Sequence, residues 1–445
     1  MTAPQIDRTS PTPLKRAITG KLLFVFILGD VLGAGIYALV GEIAGEVGGA
    51  VWVPLAVALA MAMLTAASYA ELVTKYPRAG GAAVFAARAY RSSLVSFLVG
   101  FCMLAAGVTS AAGLALAFAG DYLGVFIEVP AITAAIVFLV VVAALNARGI
   151  TESLRANVVM TVIEVSGLVI IVILAALVLG RGDGAPERVI EFQQDTTPAL
   201  AVLSAALLAF YSFVGFETSA NIAEEVEDVR RVYPRALFTA LLTAGLVYVL
   251  VGVAVSIVVP PEQLSASSGP LLEVVRVADV GIPPTLFSAI ALIAVANGAL
   301  LTMIMASRLT YGMAREGLLP PALAKVLPGR QSPWAAIVAT TAVAVILCAT
   351  GSVAALAETV VLLLLFVFVS TNVAVLVLRR DEVAHDHFRA PAVLPILALV
   401  TCGILLTQQS ADTWIRTGIL LIVGLLLYGL TRIVSARRLA SSQVN

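Results

Sequence analysis

The chain has 445 residues, 60% hydrophobic and only 12% charged, with 27 basic and 27 acidic groups. A soluble domain is about 45–50% apolar and about 25% charged. This composition, with a mean hydropathy of +1.04, excludes a soluble globular protein, and the zero net charge gives no basic surplus for nucleic acid.

A membrane span needs about 20 apolar residues. Twelve such segments are predicted, at 20–45, 51–74, 93–119, 130–146, 156–180, 198–226, 235–259, 284–311, 333–350, 354–378, 391–408 and 413–434. The first is too long for a signal peptide and more spans follow, so it is expected to remain.

The first span is interrupted by Gly29-Asp30-Val31-Leu32-Gly33-Ala34-Gly35-Ile36-Tyr37. Each glycine weakens a helix by about 1 kcal/mol relative to alanine. A peptide group freed inside a bilayer costs several kcal/mol unless something satisfies it. The usual compensation is a small charged solute. Gly33-Ala34-Gly35 is expected to release amides before the second half-helix, where the positive helix end suits a carboxylate. Gly41, Gly45 and Gly49 form a GxxxGxxxG stripe, which predicts close helix packing.

In the fifth span, Glu164 is an intramembrane carboxylate. It and Asp30 are the coupling candidates, because a carboxylate kept from water can bind and release a proton. For Glu164 a cation ligand or a purely structural partner remains open, and for Asp30 a structural prop of the unwound turn.

The sixth span carries a second break at Phe213-Val214-Gly215-Phe216-Glu217. Its carbonyls suit a substrate ammonium, and Phe213 and Phe216 could close over it or simply fill the core. Read as an α-helix, Glu217, Asn221 and Glu224 share one face. Such a stripe inside a bundle is expensive and usually functional, although Glu224 and Glu225 could instead pair with Arg230 or Arg231. On the eighth span, Asn297 and Thr302 could line the site.

The three cysteines, Cys102, Cys348 and Cys402, lie in apolar segments without ligand spacing, and both histidines, His385 and His387, lie in one polar loop. No metal, cofactor or enzymatic constellation is expected within the spans. With the N-terminus inside, 23 of the 27 basic residues fall on the cytoplasmic side, and both termini are therefore expected there. The two interrupted spans, the first and the sixth, are offset by five, an odd number. That predicts two inverted five-helix repeats, 20–180 and 198–378, followed by two extra helices at 391–434, with short tails at 1–19 and 435–445.

Gly33-Ala34-Gly35-Ile36-Tyr37 resembles the first-helix motif of the amino acid–polyamine–organocation transporters. Tyr211 to Glu217, Ala223 to Val226 and Tyr233 to Ala236 are similar to that family's sixth-helix signature and the loop after it. Ala306 to Pro320 is similar to its eighth-helix ending. The resemblance implies an all-α polytopic, leucine-transporter-like fold of twelve transmembrane helices. It also implies alternating access and an amino acid or related amine as cargo, moved with protons or by exchange across the cell membrane. By it, amides from Gly33 to Ile36 would hold the substrate carboxylate. Carbonyls near Leu32 and from Phe213 to Gly215 would hold the ammonium. Some proton-coupled relatives carry a lysine where Glu164 stands, so that mechanism does not transfer. A proton-coupled permease is the expectation; an exchanger and a non-transporting sensor are the alternatives.

Overall fold

Runs of Ala, Leu and Val wind into helices that satisfy their own backbone, as a bilayer requires. The computed structural model describes residues 18–33, 35–78, 80–148, 153–327 and 332–442, with backbone alone for 153–156 and 434–442. The first half holds α1 (Gly20–Leu32), α2 (Gly35–Val47), α3 (Trp52–Lys75), α4 (Gly81–Tyr90), α5 (Ser93–Phe118), the one-turn α6 (Asp121–Gly124), α7 (Ala131–Arg148) and α8 (Ser153–Arg181). The second holds α9 (Pro198–Tyr211), a 3-10 helix at Phe216–Glu225, α10 (Val229–Val258), α11 (Pro261–Ala266), α12 (Pro270–Ala278), α13 (Pro284–Arg315), α14 (Trp334–Cys348) and α15 (Val353–Leu378). Two further helices follow, α16 (Val393–Thr407) and α17 (Ala411–Ser442).

Local chemistry sets many of the ends. Ser92 and Ser352 cap α5 and α15 by accepting from the amides of Val95 and Ala355, replacing bonds that a helix start lacks. Proline opens α9 and α13, where its missing N–H is harmless.

Among the described residues, nine helices, counting α5 with α6 and α9 with its 3-10 continuation as one each, are long and apolar enough to cross a membrane. The pair α1 and α2 makes a tenth, bent by 41°. The shorter apolar helices α14 and α16 fall where the ninth and eleventh spans were predicted. Three features differ from expectation. The amphipathic helix α4 lies between the second and third spans. The sixth span resumes after its break as a 3-10 helix. And α17 runs on to Ser442, past the predicted start of the C-terminal tail.

The interior is built around the broken segments. Helix α2 packs on α9, α1 on α10 and α8, and α3 on both α9 and α10. Helices α5, α13 and α15 close the other side, while α16 and α17 attach outside α3, α15 and α5. The glycine stripe of α2 serves packing: Gly41 lies against Leu264 and Pro270, and Gly45 against Ser265.

Candidate substrate site

The two breaks meet. A Cβ added at Gly35 would lie 2.8 Å from the Cα of Ser212, and one at Gly215 would lie 2.8 Å from the carbonyl oxygen of Asp30. Only glycine allows this approach. At Gly215 the backbone also requires it, with φ at +127°, a region closed to side chains. Around Gly215 the chain tightens to i→i−3 bonds. Phe213 and Val214 donate to Phe210 and Tyr211, and Thr218 donates to Gly215.

Side chains tie one break to the other. The Thr218 hydroxyl donates to the Asp30 carboxylate. The Tyr248 hydroxyl, on α10, lies 2.5 Å from the Val31 carbonyl and 3.1 Å from that of Ser212. One phenol thus serves a freed carbonyl in each interrupted span. Glu217 turns back on its own break and accepts from the Gly215 amide at 2.9 Å. Across the interior, Tyr37 and Tyr122 extend the pattern: Tyr37 donates to the carbonyl of Glu164, and Tyr122 to that of Tyr37.

A cavity of about 750 Å³ opens beside the breaks. Of the residues predicted for the site, Asp30, Gly33, Gly35, Val214, Gly215, Glu217, Asn221 and Thr302 line it. Leu32, Ile36, Phe213 and Phe216 do not, being fully buried in the adjoining core. Phe213 stands edge-on to Tyr248 at 5.2 Å between centroids, and Phe216 packs on Tyr69 and Phe368. Those contacts make them core aromatics here, with only their backbone near the cavity. Ala34 lies outside the described residues.

Glu164 and Asn297 also stand behind the cavity wall, both buried. Asn297 donates to a Glu164 carboxylate oxygen at 3.0 Å and to Asn157 at 3.2 Å. The other Glu164 carboxylate oxygen and the Asn157 amide nitrogen have no partner among the described residues.

The polar stripe of the sixth span falls differently from its α-helical reading. A 3-10 helix advances about 120° per residue rather than about 100°, so the face drifts along the segment. Thr218, Asn221, Ile222 and Glu225 line the cavity, and Glu224 does not. The expected pairing of Glu224 or Glu225 with Arg230 or Arg231 is absent among the described residues. Glu225 and Arg308 instead both line the cavity.

The far wall comes from one face each of α5, α13 and α15. Met103, Gly107, Ser110 and Leu114 follow at helical spacing on α5, as do Leu301, Thr302 and Met305 on α13, with Val360 and Leu364 on α15. The part of this wall just named carries no charge. Its two hydroxyls are engaged, Ser110 with Tyr211 at 2.8 Å and Thr302 with its own helix backbone. From there the cavity runs to the basic-rich end of the bundle, past Arg308, Gly312 and the exposed Glu316.

Sequence reasoning missed Thr218, Ser110, Tyr211 and Tyr248. Thr218 was detectable, standing one residue from Glu217 within a flagged break. Tyr211 opens the sixth-helix signature quoted above and could have been singled out, whereas Tyr248 sits in an ordinary apolar run with no local signal.

A family model described as amino acid permease matches residues 19–430. A transporter of Mycobacterium tuberculosis, named as uncharacterised, is 32% identical over 98% of this chain and 96% of its own. A branched-chain amino acid permease of Bacillus subtilis is 26% identical over 93% and 92%. A low-affinity putrescine importer of Escherichia coli is 26% identical over 82% of each. With this match over nearly its whole length, and with interrupted spans meeting at one cavity, the chain belongs to the amino acid permeases of the amino acid–polyamine–organocation family.

Proposed function

We propose that the protein is a secondary transporter that carries an amino acid across the cell membrane by alternating access, driven by proton symport. The observation that carries this is the contact between the two interrupted spans at the edge of a cavity. In a bilayer, irregular backbone is tolerated where it lines such a cavity, and half-helix ends there bind charged solutes.

The first amides of α2, around Gly33 to Ile36, would hold the substrate carboxylate, since helix starts leave such groups unpaired. The carbonyls of Val31 and Ser212 share the single proton of the Tyr248 hydroxyl. Each keeps a second lone pair for the ammonium, and Asp30 supplies a charge beside them. The arrangement is that of a zwitterion seat. The uncharged wall of α5, α13 and α15 would then receive the side chain. That wall offers a cation no partner of its own, and an unpaired buried cation is costly, so a bulky neutral side chain is favoured. The printed name of the Bacillus relative, a branched-chain amino acid permease, agrees with this chemistry.

Ten spans, with α14 and α16 as two short ones, are compatible with twelve crossings. The paired breaks support a five-plus-five inverted arrangement. The basic bias supports cytoplasmic termini, in which case the cavity opens to the inside. Asp30 and Glu164 are the proton-carrier candidates. The rival is amino acid exchange.

The test is uptake into proteoliposomes with and without an imposed pH gradient. Leucine, methionine or phenylalanine should be accumulated when the outside is acidic, and lysine and putrescine should not compete. Counterflow of equal size without any gradient would favour exchange. Absence of uptake or binding for every amino acid tried would reject the reading.

A further inference from the structure

At the basic-rich end, the first turns of α1 and α10 flank a groove of about 600 Å³, separate from the substrate cavity. Three cations rim it, Lys21 on α1 with Arg231 and Arg235 on α10. Asp228 is the single carboxylate on the rim, leaving an excess of two positive charges. All three cations are exposed. The ion pairs among the described residues are Arg276–Glu273 and Arg379–Glu71, so none of the three is engaged in one. Two helices also begin here, and their starts add positive potential.

The groove has an apolar side as well. Phe24 and Val232 form part of its wall. Along α10, Arg235, Thr239, Leu242, Leu246 and Leu250 succeed one another at helical spacing, on one face. Leu242, Leu246 and Leu250 are 57%, 59% and 44% exposed. One outward stripe thus changes from cationic to apolar within about two turns. That is the profile of a molecule with an anionic head and a hydrocarbon tail, at the start of the predicted span 235–259.

We propose that this groove binds one anionic phospholipid, its phosphate held by Lys21, Arg231 and Arg235, and an acyl chain lying along Leu242, Leu246 and Leu250. Basic pockets between membrane helices on the cytoplasmic side suit such headgroups. A zwitterionic lipid would bring a second cation against a positive rim. A free phosphate would leave the apolar stripe unused. Bound there, the lipid would tie the base of an interrupted span to α10, the helix whose Tyr248 holds both breaks.

The experiment is native mass spectrometry of the full chain in detergent, with phosphatidylglycerol, phosphatidylcholine or inorganic phosphate added. One phosphatidylglycerol should be retained, about tenfold in preference to phosphatidylcholine, given the two-charge excess. The double variant Arg231→Gln, Arg235→Gln should lose that preference, while Arg181→Gln, at the C-terminal end of α8, should keep it. Because Arg231 and Arg235 are exposed and have no side-chain partner among the described residues, melting of the double variant without lipid should match the parent. Equal retention of both lipids, an unchanged preference in the double variant, or displacement of the lipid by equimolar phosphate would each overturn the assignment.

Discussion

The glycines at the first break have separable roles. Gly35 is needed for contact, because a Cβ there strikes the backbone of Ser212, whereas one at Gly33 meets nothing nearer than 3.5 Å, in its own turn. Gly35→Ala should therefore destabilise the protein by about 1–3 kcal/mol through overpacking, seen as a lower melting temperature. Gly33→Ala should fold normally and raise the KM for uptake. Tyr248→Phe leaves the Val31 and Ser212 carbonyls without their donor, at a cost of about 1–3 kcal/mol, and should reduce both stability and transport. Glu164→Gln preserves an acceptor for Asn297 but cannot exchange a proton. It should flatten the pH dependence of uptake, and an unaltered profile would remove Glu164 from coupling. The glycines and the intramembrane acids were legible in the sequence because each is costly in lipid. Tyr248 was not, because its value arises from two carbonyls brought together only by folding.

Span positions could be read closely from the sequence, since hydrocarbon thickness fixes how long an apolar run has to be. Helix α4 could not, being 10 residues long and amphipathic, and neither could the 3-10 winding, which shares its composition with an α-helix. A connection between elements was also hidden. After α15 the chain folds back on the end of α3, where Glu71 receives the Arg379 guanidinium at 2.8 Å and the Ala390 amide at 2.9 Å. Thr74 accepts from the Phe388 amide, and Lys75 donates to the Leu378 carbonyl. Glu71 is 1% exposed, so Arg379→Ala would strand a buried charge at a cost of about 3–5 kcal/mol. A thermal-stability measurement should find Glu71→Gln, Arg379→Ala milder than Arg379→Ala alone, since the stranded charge is then gone.

For the whole molecule, the open route to the substrate site can be probed with thiol reagents. Cys102, Cys348 and Cys402 are all buried, so the native background should be low. Gly312 lines the cavity, and a Cβ there meets nothing within 4 Å. Gly312→Cys should react with an impermeant maleimide from the side bearing the basic loops, and Thr302→Cys, deeper in, should be protected by substrate. Labelling from the opposite side alone would reverse the orientation. The contact between the breaks bears as well on how the protein is made. Gly215 comes 182 residues after Gly33, so while the first half enters the membrane its kinked segment has no mate and Tyr248 is not yet synthesised. That half would wait at the insertion machinery as a chaperone client until α10 arrives. Separately expressed halves should accordingly be degraded alone and rescued when produced together.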